Sequence, residues 1–170
     1  SLFNIDATIM SNGDFSGEGT EVSPYLISST AEWTKLSVDL ATGKDTYTGK
    51  VFRLTRNIDC GSISVGTDEH PFQGTFDGDG HTLTLNAGTE YNPLARAASP
   101  FYRVSEATLR HLHTAGKVCI SAQYTGGITS QVFGSKATRL FDVNSSMTIF
   151  STIRGDASNG GLVGAASNCD

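Results

Sequence analysis

The sequence predicts an all-β fold, a right-handed parallel β-helix (solenoid) with a short N-terminal capping helix. Three observations predict it: text that repeats at intervals of roughly 30 residues, short apolar strands divided by glycine-rich turns, and one capped amphipathic helix near the start. A repeat on this scale is one supersecondary unit that cannot bury its apolar face alone. Stacking successive units into coils of three short strands supplies the missing cover.

The elements follow in order. Phe3 to Ile9 alternates apolar and polar residues and reads as an edge strand. Ser11 to Thr20 is polar and glycine-rich, a loop. Ser23-Pro24-Tyr25-Leu26-Ile27 is a short strand entered through proline, which a first strand position tolerates. Ser29-Thr30-Ala31-Glu32 has capping-box form, and Trp33, Leu36 and Leu40 behind it make one apolar stripe on a helix that Gly43 ends. This helix is expected to cover the open end of the strand stack. Beyond Lys50 the chain is strands and turns. Val51 to Asp59 carries Phe52, Leu54 and Ile58 on one face, and Phe72 to Phe76 reads as the next strand. Asp77-Gly78-Asp79-Gly80 is a tight turn whose glycines supply positive φ, and His81 to Leu85 alternates again. The chain therefore divides into residues 1–45, holding the N-terminal strand, loop and capping helix, and residues 46–170, the coils, within one domain.

The repeat appears in the second half. Ser105 to Leu112 resembles Ser135 to Val143, aligning Ala107 with Ala137 at an offset of about 30. Gly126-Gly127-Ile128-Thr129-Ser130 resembles Gly160-Gly161-Leu162-Val163-Gly164 at an offset of 34. Paired glycines ahead of an apolar residue permit a sharp corner and leave no Cβ to strike the neighbouring coil.

Gly161-Leu162-Val163-Gly164 resembles the motif of the GLUG repeats, found in bacterial surface proteins and in some peptidases of the IgA-protease type. The upstream text is similar to the lead-in of such proteins in gut and oral Bacteroidota: Gly17 to Glu21, Ser23 to Ser28, and the run Phe72-Gln73-Gly74-Thr75-Phe76-Asp77-Gly78-Asp79-Gly80-His81-Thr82-Leu83. The similarity covers roughly Gly17 to the end. Two departures stand out: bulky residues at Ser99-Pro100-Phe101-Tyr102-Arg103, and Thr129 and Ser130 in place of the hydrophobic-Gly pair. The resemblance implies an adhesin-like or structural module of the outer surface or extracellular space, and the sparse chemistry of the residues leads to the expectation that it is non-catalytic. Its expected partner is a host or cell-surface glycan or protein, and further coils or self-association are expected at the C-terminal end.

Composition narrows the alternatives. A net charge of −5 without any Lys/Arg run speaks against nucleic acid. No apolar stretch reaches the ~18–20 residues of a membrane span. Ser1 to Met10 has no basic and apolar leader, so an exported chain is expected to have shed one. Cys60, Cys119 and Cys169 lack zinc spacing; they read either as small buried hydrophobes or as one bridge and a free thiol.

The candidate chemistry is sparse, and no cofactor is expected. Asp77 and Asp79, beside His81, are turn residues, weak Ca²⁺ candidates, or the carboxylates of a polysaccharide-active site. His111 and His113 alternate on one strand and share a face, without a third metal ligand at suitable spacing. There is no G-x-S-x-G elbow and no phosphate-cradling P-loop. Tyr91, Tyr102 and Tyr124 fall in or near turns, where they either cap the core or stack on sugar rings, the alternative being a carbohydrate-binding module.

Overall fold

A computed structural model of the chain describes residues 15–134, 136–153, 158–159 and 161–167. The strand expected at Phe3 to Ile9, Gly160 and Cys169 lie outside the described residues.

Parallel strands stack into a β-solenoid of about four turns, with one short helix. The first face stacks β1 (Tyr25–Ile27), β2 (Val51–Leu54), β4 (Thr75–Asp77) and the first parts of β7 (Thr108–Ile120) and β10 (Arg139–Ser145). A second face stacks β3 (Ile58–Gly61) and β5 (Thr82–Ala87) on the remainder of β7, followed by the end of β10 and β11 (Thr148–Ser151). The third face holds β6 (Phe101–Ser105), β9 (Thr129–Phe133) and β13 (Val163–Ser167), and β8 (Tyr124–Thr125) pairs with β12 (Ser158–Asn159) at a corner. Each coil thus runs through the first, second and third faces before climbing to the next.

Register sets the core. Tyr25, Phe52, Phe76, Leu109 and Leu140 occupy one column of the first face. Phe52, Phe76 and Leu109 are fully buried, as are Phe72, Phe101 and Trp33. Their rings pack mostly edge to face: Phe76 to Phe101 at 5.0 Å and Trp33 to Phe101 at 5.6 Å between centroids.

The helix, α1 (Thr30–Ala41), covers the first coil. The Ser29 hydroxyl accepts from the Glu32 backbone N–H, while the Glu32 carboxylate accepts from the N–H of Ser28, one residue before the cap. Trp33, Leu36 and Leu40 are fully buried. Three polar side chains of α1 also serve carbonyls of the first coil. Thr30 Oγ1 donates to Asp59 O (2.6 Å), Trp33 Nε1 to Ile63 O (2.8 Å) and Ser37 Oγ to Ser64 O (2.7 Å). The helix therefore supplies both the apolar cover and part of the hydrogen bonding that another coil would give, which blunts the sheet edge.

Three sequence expectations need correction. The strand expected at Phe72 to Phe76 is β4, Thr75–Asp77; Phe72 belongs to the third face, bridging to Val104, and the corner falls between them. In the repeat, Leu109 pairs with Leu140 and Thr108 with Arg139, so the strands align one residue beyond the Ala107–Ala137 match. His111 and His113 do not flank one flat strand. His111 has φ 52° and turns the corner between two faces inside β7, and Asp142 (φ 51°), between the paired Phe141 and Val143, repeats the conformation one coil on. Short polar side chains tolerate this left-handed geometry best.

Candidate functional site

Asp77 sits between arginines. Register places Arg53 and Arg110 on either side of it in one outward column of the first face. Arg110 Nε donates to Asp77 Oδ2 at 3.2 Å, with Arg53 Nε at 3.9 Å, while Arg110 Nη2 reaches Glu21 Oε2 at 2.7 Å. The hydrogen bonds from Arg110 hold the Glu21 carboxyl below the usual carboxylate range, and the same contacts raise Arg110. Asp77 Oδ1 accepts from the Asp79 N–H at 2.8 Å, closing the turn, and Asp79 takes φ 49° with its side chain exposed. Asp77 is buried and held by arginines while Asp79 faces solvent, so the two carboxylates do not converge on one point. No group of three or more His, Cys, Asp or Glu gathers among the described residues.

This arrangement separates the charge of Asp77 from its turn role. Asp77→Asn keeps an oxygen for the Asp79 N–H but leaves two guanidinium groups short of their anion. It is expected to destabilise the fold by about 1–3 kcal/mol, whereas Asp79→Asn should stay within about 0.5 kcal/mol. Urea unfolding of both variants beside the parent checks the difference.

The histidines join the same coil-to-coil ladder. His111 Nδ1 lies 2.6 Å from Asp142 Oδ2, and His113 Nδ1 contacts Asn144 Oδ1. Lys117 Nζ adds a contact to Glu90 Oε1 at 3.4 Å. Cys60 and Cys119 are buried and free, and burial pushes the Cys60 thiol well above its ordinary range, with Asp59 adding to the effect.

The glycine motif is a packing device. Ile128 N–H donates to Leu162 O and Thr129 pairs with Val163, a register of 34 residues. Gly126 and Gly127 do not need positive φ; they need the space. A Cβ on Gly126 would lie 2.4 Å from Thr129 O and 2.6 Å from Leu162 O, and one on Gly127 2.4 Å from Ser145 Oγ. Gly164 is equally confined, 2.7 Å from Thr125 N, whereas Gly161 (φ +60°) faces open space. Beneath them a polar seam is internally satisfied: Ser99 Oγ meets Gly126 O and Ser130 Oγ at 2.6 Å each, and Thr114 Oγ1 donates to Gly127 O at 2.7 Å.

The tyrosines separate. Tyr91 is 99% exposed. Tyr102 lies within β6, not in a turn, and its hydroxyl donates to Asp68 Oδ1 at 3.0 Å; burial, then this carboxylate, raises its pKa. Tyr124 opens β8 and is 40% exposed. Tyr102 and Tyr124 line one open groove of about 440 Å³ with Arg96, Gln123, Gln131 and Ile153; alanines and a serine form the rest of its wall. Those residues come from successive coils, so the groove follows the corner between the second and third faces along the solenoid axis. Sequence reading missed Arg96, Gln123 and Gln131.

Against family models, curated proteins and solved structures, the chain matches none. No helix among the described residues is long and apolar enough to cross a membrane.

Proposed function

We propose that this chain is a non-catalytic display module of a bacterial surface protein, adhesin-like and extracellular, in the manner of the GLUG-repeat proteins that its glycine motif resembles. One observation carries the reading. Several ionic and imidazole groups of the outer faces pair across coils, as in Arg53–Asp77–Arg110–Glu21, His111–Asp142 and Lys117–Glu90. They stiffen a rod instead of gathering around a reaction centre, and a stiff rod holds a binding surface away from a cell at little entropic cost.

Attachment is the test. Cells displaying the parent surface protein should adhere to a panel of host glycans and matrix proteins, and deletion of this segment should abolish part of that binding. Unchanged attachment across the panel would overturn the adhesive role.

A second reading, a carbohydrate-binding module, is favoured by the groove at Tyr102 and Tyr124, where aromatic rings meet amide side chains. Tyr91 contributes nothing to that groove. A polysaccharide-active enzyme built on Asp77 and Asp79 draws the least support, since Asp77 is already engaged with the turn and the arginines.

A further inference from the structure

Several polar side chains of the groove have no partner among the described residues, although the Tyr102 and Ser121 hydroxyls are engaged. Arg96 is the single charged side chain among its lining residues and has no ion-pair partner among the described residues. The side-chain amides of Gln123 and Gln131 and the hydroxyl of Tyr124 likewise have no protein hydrogen-bond partner there. Asp68, which takes the Tyr102 hydroxyl, is also paired with Arg103, whose Nη1 lies 3.4 Å away. Among the described residues the groove therefore offers one cation without an ion-pair partner, two bifunctional amides and two tyrosine rings, on walls kept low by small residues. Its volume of about 440 Å³ falls within the range of small-ligand sites, roughly 300–1,000 Å³.

We infer that this groove binds an acidic saccharide, resting on the carbohydrate-binding reading above. The anionic substituent pairs with Arg96, one sugar face lies on Tyr124, and hydroxyls meet Gln123 and Gln131. Each part has a physical reason. An arginine fork suits a carboxylate or sulfate, with two parallel N–H donors. A tyrosine ring presents an apolar face with a polar tip, as does a pyranose. Amides give and accept hydrogen bonds, which matches hydroxyls that do both. The Tyr102 ring is fixed in advance by Asp68, so little side-chain freedom is lost on binding. The chain's overall charge of −5 opposes an anion at long range. At physiological salt that repulsion is screened beyond about 8 Å, and contact with Arg96 decides.

The test uses the full chain and titration calorimetry with uronic-acid trisaccharides, the methyl esters of the same sugars, and their sulfated counterparts. The uronate is expected to bind about tenfold more tightly than its neutral ester. Arg96→Gln should bring that ratio close to one, with the larger loss on the uronate. Tyr124→Ala should weaken all three probes, and Tyr91→Ala should alter none. Circular dichroism and melting curves confirm that each variant folds. A preference for the sulfated probe that also falls with Arg96→Gln supports the acidic class and names sulfate as its group. Ester binding equal to uronate binding, or a ratio that survives Arg96→Gln, overturns this inference and leaves the carbohydrate reading standing. Failure of every saccharide to bind removes both, while the attachment experiment judges the adhesive role separately.

Discussion

Phe76→Ala is expected to cost about 3–5 kcal/mol, the range for emptying a buried aromatic site. Phe76 is fully buried and touches four rings: Trp33 of the capping helix, Phe52 one coil below, Phe72 and Phe101. These neighbours are held by backbone ladders on two faces and by the helix, so they have little freedom to collapse into the space. For a chain of this length the loss lowers Tm by roughly 2–4 °C per kcal/mol, and thermal melting by circular dichroism checks it. Phe141→Ala is the control. That ring is 46% exposed on the outer face, packs edge-on to His111 at 5.4 Å, and should lose about 1 kcal/mol or less. Equal losses at the two positions would mean that the aromatic column is not where the stability resides.

Gly116→Ala should be nearly as damaging for an unrelated reason. Gly116 lies in the middle of β7, paired with Leu85, at φ +110°. A side chain rarely adopts that backbone, and the added Cβ would sit 2.0 Å from Leu85 O, an atom fixed in a neighbouring strand. Strain and overlap together are expected to cost at least about 3 kcal/mol. Gly61→Ala separates the two effects. Gly61 also has positive φ, +58°, but meets nothing within 4 Å, so about 1 kcal/mol of backbone strain should remain. Urea midpoints of the two variants provide the comparison.

What was legible in the residues was whatever a local pattern encodes. The capping box at Ser29 and the stripe of Trp33, Leu36 and Leu40 identify the helix, because cap and stripe are written within one segment. The offset of 34 between the glycine pairs appears directly as the pairing of Thr129 with Val163. Corners made without glycine were not legible. His111 and Asp142 adopt positive φ because coil stacking holds them there, and no local signal in the text announces it. The groove was half legible. Tyr102 and Tyr124 are visible as aromatics near strand ends, but their association with Arg96 and Gln131, and the separation of Tyr91, depend on how loops of successive coils overlie one another. Asp77 makes the same point: as text it belongs to a turn, and only the column Arg53–Asp77–Arg110 reveals its second duty.

The aromatic residues are unevenly shared along the solenoid. Trp33, Phe52, Phe72, Phe76 and Phe101, all fully buried, precede β7, whereas Phe133, Phe141 and Phe150 behind it are 41–46% exposed. In a stack where each coil answers mainly to its neighbours, this makes a gradient of local stability. Amide hydrogens of β2 and β4 should exchange last. A chain that leaves the ribosome, or threads through a translocation pore, from its N-terminus thus delivers its most self-sufficient part before the rest. The helix and the aromatic coils, once formed, offer the coils that follow a folded surface to stack on.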